Sequence, residues 1–205
     1  MKYLKMLSLT VMAAAALMAF VGAGTASATV ACKNNANTTE CTEKWPAGTE
    51  LKTQLKSGTV ARLTTSFKTI ECQKASATGE LTAEGSATTT AQGTGKGTYS
   101  ECNCEVVVLK TGTLEAHYIS KTDNAEVVSN EAEVTVTCST IFGNVHCIYV
   151  SEHTNGGIII GGNPPIIKFE LNVPRLSTNG LCSEKAILDA EFEVLSPTPA
   201  YAAAG

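Results

Sequence analysis

Hydrophobic and polar positions alternate along most of the chain with a period of two, the signature of half-buried β-strands. The clearest case runs from Glu131 to Val150. There Ala132, Val134, Val136 and Cys138 alternate with Glu131, Glu133, Thr135 and Thr137, and Val145, Cys147 and Tyr149 repeat the pattern on the return. Similar alternation marks Leu51, Thr53 and Leu55, then Ile167 to Val173, then Ala186 to Val194. Shorter strands are predicted over Val60 to Thr65, Phe67 to Cys72, Tyr99 to Leu109, Leu114 to Tyr118 and Ala125 to Ser129. No stretch past the N-terminal segment carries a 3.6-residue apolar stripe. Some ten short strands separated by turn signals predict an all-β fold, a disulfide-stapled antiparallel β-sandwich of immunoglobulin-like or jelly-roll-like type.

Two segments resist this reading. Lys74 to Thr98 is rich in Thr, Ala and Gly, and periodicity alone leaves a long weak hairpin and a mobile loop equally open. Ile158-Ile159-Ile160, bracketed by Gly156-Gly157 and Gly161-Gly162, reads as a short buried strand, with a sticky exposed edge as the rival. In the central hairpin, a two-residue turn at Gly143-Asn144 sets Cys138 opposite Tyr149. A four-residue loop from Ile141 to Asn144 sets Cys138 against Cys147, and the expectation is that longer loop with a Cys138–Cys147 bridge.

Residues 1–28 form a predicted signal helix: Lys2 and Lys5, an apolar run from Leu7 to about Val21, and the small-x-small site Ala26-Ser27-Ala28. Cleavage after Ala28 leaves a cysteine-stapled loop at 29–48, with little regular structure, and the β-domain at 49–205. Without Lys2 and Lys5 the chain has 13 Lys+Arg against 19 Asp+Glu, a net charge of −6. No basic block remains, which argues against nucleic acid as a partner, and no later segment reads as a transmembrane span. An extracellular or envelope partner is expected, and oligomeric state is left open.

All eight cysteines follow the signal, an even number that in an exported chain predicts disulfides. Cys32 and Cys41 are close enough to staple one loop. Cys102 and Cys104 are expected to bond different neighbours, with Cys72 and Cys182 as the remaining candidates. Acylation of Cys32 in a lipoprotein box, Thr29-Val30-Ala31-Cys32, is the rival; Thr29 stands where an aliphatic residue is expected, and seven cysteines would remain.

Several motifs together resemble a family of exported, cysteine-bearing proteins encoded in many copies by some soil actinobacteria. They are Cys32 with Cys41, Trp45 to Leu51 (WPAGTEL), Thr69-Ile70-Glu71-Cys72, Cys147-Ile148-Tyr149, and the tail from Glu193 to Tyr201 (EVLSPTPAY). The resemblance implies a secreted all-β domain and brings no activity, ligand or catalytic residue.

Candidate chemistry is sparse, and no cofactor, metal ligand or catalytic residue is assigned. Cys102-Asn103-Cys104 lacks the further ligands a zinc site needs. Gly93-Thr94-Gly95-Lys96-Gly97-Thr98 fails the phosphate-loop pattern, because Lys96 is followed by glycine. Ser151-Glu152-His153 has triad residue types, but strand neighbours point to opposite faces. The threonine-rich 78–98 segment has no regular repeat for a flat hydroxylated binding face. The expected role is non-enzymatic: cell-surface, structural or binding. The alternatives are an exported hydrolase or metal-dependent enzyme built on Glu115, His117 and His146, and a lipid-anchored surface protein.

Overall fold

The computed structural model describes residues 28–34, 41–141, 143–177 and 180–205. The predicted signal helix therefore lies outside the described residues, apart from Ala28. No described residue is helical.

Fourteen strands form, in chain order: β1 Thr29–Cys32, β2 Glu50–Leu55, β3 Ala61–Thr64, β4 Thr69–Ala83, β5 Ala91–Cys102, β6 Glu105–Lys110 and β7 Gly112–Tyr118. There follow β8 Ala125–Asn130, β9 Glu133–Thr140, β10 Gly143–Val150, β11 Thr154–Ile160, β12 Ile166–Pro174, β13 Lys185–Ser196 and β14 Tyr201–Ala204. The largest sheet runs β12-β11-β8-β7-β5-β4-β2-β13 and closes on itself through β12–β13 pairing. β3 shares the place of β2, because both pair with β4 on one side and β13 on the other. The turn at Ser57-Gly58, with Gly58 at φ +81°, separates the two pieces.

The predicted sandwich is thus replaced by a closed antiparallel barrel of eight strand positions. Period-2 alternation is the same in both architectures, since each has one buried and one wet face. What closes the barrel is length: β4, β5 and β13 run 15, 12 and 12 residues, enough to twist around and serve several neighbours.

Two small sheets cover the barrel ends. The three-stranded sheet β10-β9-β6 packs Val136, Val145 and Tyr149 against Ile70, Leu171 and Val173 at one end. At the other, β1 pairs with β14, Val30 opposite Ala203. Ala31 N–H donates to the Glu84 carbonyl at 3.2 Å, and Ala202 N–H donates to the Asp123 carbonyl at 2.9 Å. Residues 29–32 are therefore strand, where a stapled loop was expected. Cys32 bonds Cys41 as predicted, and at 0% exposure it is the buried end of β1.

The other bridges are Cys72–Cys102, Cys104–Cys138 and Cys147–Cys182, leaving no free cysteine among the described residues. Four disulfides suit an oxidising compartment. The predicted Cys138–Cys147 bridge is incorrect. β9 and β10 pair Thr140 with Gly143, so Cys138 lies opposite Val145 and Cys147 opposite Val136. Neither expected register forms, because Gly143 and Asn144 start a strand instead of making the turn. Thr140 donates its hydroxyl to the Gly143 carbonyl at 2.8 Å, and Ser139 donates to Asn144 Oδ1 at 2.9 Å, closing the ladder two residues earlier. The two cysteines share a face diagonally, so each reaches outward to another element.

The predicted strand from Tyr99 to Leu109 also breaks. Glu101 takes φ +55°, and Asn103 folds back to accept from Glu71 N–H and donate to the Thr69 carbonyl, both at 3.0 Å. Cys102 is thereby held to β4 in the barrel, and Cys104 to β9 in the covering sheet. Both bond different neighbours, as expected, but only Cys72 is an expected partner: Cys104 pairs with Cys138, and Cys182 is taken by Cys147.

On the outer face, Glu191 of β13 accepts from Lys56 and Lys168, each at 2.9 Å, tying β13 to β12 and to the end of β2. The Lys168 hydrogen bond first, then that of Lys56, holds its carboxyl below the ordinary glutamate range. A depressed folded pKa stabilises above the unfolded pKa and is lost as pH falls through the folded one. Because these groups are largely solvated, Glu191→Gln is expected to cost less than about 1 kcal/mol in neutral urea melts. The difference from the parent should shrink as pH falls through the lowered folded pKa and vanish below it. A gap that persists in acid would show that the ion pairs are not its source.

Candidate functional site

The residues that the hydrolase reading needs are not assembled. Glu115 and His117 sit together on the outer face of β7, Oε2 to Nε2 3.8 Å, in the barrel wall. His146 lies in the covering sheet, where its ring meets the Thr135 hydroxyl at 3.1 Å and that of Thr137 at 3.0 Å. His153 follows β10 at φ +42°. No group of three His, Cys, Asp or Glu among the described residues is placed to hold a metal ion. Ser151 is buried, accepting from Ala132 N–H and from the Ser129 hydroxyl, each at 3.0 Å, and is fully engaged in structure. The glycine-rich 93–98 run is strand, within β5.

Ile158-Ile159-Ile160 belongs to β11, which pairs with β8 and β12, so it is an interior strand and not an edge. The undecided 74–98 segment is the β4–β5 hairpin. Its composition is what gives the barrel an interior.

Inward positions of this hairpin are Ala77 and Gly79 on β4, and Ala91, Gly93, Gly95 and Gly97 on β5. The facing wall is large: Ile167, Phe169 and Leu171 on β12, with Phe192 and Val194 on β13. Phe169 and Phe192 meet edge to face, ring centres 5.9 Å apart. Large side chains from one wall do not span the gap left by glycine and alanine on the other. A chamber of about 310 Å³ results. Eight strands enclose a space that is either filled by side chains or able to hold one small ligand, and here the small wall selects the second case.

The two small sheets lie across the ends of the chamber. Val30 and Ala202 with Trp45 form the floor, and Val106, Val134 and Tyr149 the roof. Trp45 is fixed by Nε1–H donating to the Pro199 carbonyl at 3.0 Å and by its backbone N–H donating to Ala31 at 2.9 Å. Lys33 lies over its ring, Nζ 4.9 Å from the centroid. Arg62, Glu115 and Glu133 also border the chamber, but the lining is predominantly apolar.

At about 24 cal/mol per Å³, an empty apolar space of about 310 Å³ that is fully enclosed costs on the order of 7 kcal/mol, an upper bound for this partly open chamber. That matches the entire net stability of an ordinary domain. A void of this size is expensive unless something fills it.

The chamber was hidden in the sequence behind its own composition. Alternation at 77, 79, 91, 93, 95 and 97 is as regular as in the hydrophobic strands, with Thr, Lys and Glu between. Only its inward members are too small to register as a core. No protein-family model, curated protein or solved structure matches the chain.

Proposed function

We propose that the protein is an exported, non-enzymatic binding protein that holds one small apolar molecule inside its barrel. The observation that carries this is the apolar chamber of about 310 Å³, within the usual range of ligand cavities. Four disulfides support function in an oxidising, extracellular setting, where a small-residue wall needs covalent help. No described helix is long and apolar enough to cross a membrane. A lipid anchor at Cys32 would need the thiol that is bonded to Cys41. A cell-surface location by other means is compatible with this role.

The purified, oxidised protein titrated with neutral N-phenyl-1-naphthylamine is expected to bind it saturably, one per chain, with a blue-shifted emission. Linear, non-saturating fluorescence, or the same signal from the reduced and unfolded chain, would exclude the reading.

A further inference from the structure

Besides Tyr149, whose buried hydroxyl has no hydrogen-bond partner among the described residues, the lining holds the hydroxyls of Tyr99 and Thr53, which make no hydrogen bond to a described residue either. Tyr99 faces inward from β5, and its ring lies flat along the strand over Gly97. A Cβ built on Gly97 would sit 3.0 Å from Tyr99 Cε2 and 3.4 Å from its hydroxyl oxygen. Gly97 is thus the space that lets the phenol lean along the inner wall, with its oxygen in the chamber lining. Thr53 faces inward from β2. The pairings Thr53 with Ala77, and Ala77 with Gly97, put both hydroxyls on one cross-strand row. Two strand spacings separate Thr53 from Gly97, roughly 9–10 Å between Cα atoms. The lining hydroxyl of Ser129 is already spent on Ser151.

Resting on the chamber reading, we propose that the ligand is a neutral, mainly apolar molecule carrying one oxygen function, a ketone, ester or ether. Its oxygen accepts from the Tyr99 hydroxyl on the row between Thr53 and Gly97. A buried hydroxyl without a partner is a costly feature that a ligand acceptor relieves. Burial raises the Tyr99 pKa, which keeps the phenol a protonated donor. Of the charged residues that border the chamber, Arg62 is paired with Glu71 and Glu115 with His117, so free fatty acids and amines are disfavoured by desolvation. The space admits a molecule on the order of ten to twenty non-hydrogen atoms, at about 15–30 Å³ each.

Pentylbenzene and valerophenone differ by a methylene replaced with a carbonyl, and both fit that size. Competition of each against N-phenyl-1-naphthylamine gives their affinities for the parent and for Tyr99→Phe. Valerophenone is expected to weaken about 3- to 10-fold in Tyr99→Phe, the range of one hydrogen bond, with pentylbenzene changed less than about twofold. The bound ketone's carbonyl stretch is expected to fall in frequency in the parent and to return toward its apolar-solvent value in Tyr99→Phe. Equal losses for both compounds, or no change for either, overturn the assignment while leaving the chamber standing. If neither displaces the probe from the parent, the ligand class is overturned; if the naphthylamine itself does not bind, the chamber reading falls with it. Should Tyr99→Phe fail to fold, Gly97→Ala, which displaces the ring, takes its place. The parent's infrared shift then decides: an unshifted carbonyl overturns the proposal.

Discussion

Gly95→Leu is expected to stabilise the empty protein and to abolish binding in the chamber. Gly95 is on the inner face of β5, and a Cβ added there meets only Leu114 Cδ1, at 3.8 Å. The leucine side chain enters open apolar space, and its burial contributes about 1.5–3 kcal/mol. Removing a strand glycine adds roughly 0.5–1 kcal/mol more. A rise of about 4–16 °C in the thermal midpoint follows at this chain length. Naphthylamine affinity should fall at least tenfold, because the side chain takes the ligand's volume. Gly79, directly opposite in the β4–β5 register, is the contrasting position. A Cβ there would lie 1.8 Å from the Thr94 carbonyl oxygen, so Gly79→Ala forces the strands apart. That variant should lose about 2 kcal/mol or more. Similar destabilisation by Gly95→Leu and Gly79→Ala would show that the chamber is not there to be filled.

Loss of the Cys104–Cys138 bridge should produce a large destabilisation. Its 34-residue separation makes the loop-closure contribution about 3–4 kcal/mol, against about 2.5 kcal/mol for the 9-residue Cys32–Cys41 loop. Both cysteines are buried, 8% and 0% exposed, so alanine at both positions leaves a small gap but no stranded charge. The double variant Cys104→Ala/Cys138→Ala should therefore melt about 7–15 °C below the parent. It also frees the three-stranded sheet from its anchor beside Cys102, so naphthylamine release should quicken. Peptide mapping before reduction checks the premise: recovery of a Cys138–Cys147 peptide pair would contradict the fold, since those residues are diagonal neighbours on paired strands.

Strand positions were legible in the sequence where inward residues are large. Leu51 to Leu55, Ile167 to Val173 and Ala186 to Val194 form strands with the expected faces inward. Closure into a barrel was not legible, because alternation specifies a buried face but not whether that face curls onto itself. The disulfide pairing failed for a related reason. Cys138 and Cys147 share a face, as read, but a two-residue register shift preserves the face and changes every partner. Gly143-Asn144 resembled a turn by residue type, and the hydroxyls of Ser139 and Thr140 put it in the ladder. β14 was missed because Tyr201 to Ala204 is too short and too alanine-rich for a pattern. The site was the least visible part: a cavity is made by what the side chains omit, and Ala77 to Gly97 reads as low complexity unless glycine is counted as an inward residue.

The floor of the chamber has a consequence for how the protein folds. Val30 pairs with Ala203, 173 positions further along the chain, in the longest-range strand pairing among the described residues. Contacts of such high order form slowly, since chain entropy must be lost before they are rewarded. The eight-strand wall can therefore assemble while its lower mouth is still open. A small molecule present at that moment enters without displacing any strand, and the late zipping of β1 onto β14 traps it. Refolding in the presence of ligand should accordingly load the barrel faster than soaking the finished protein, making folding itself the loading step.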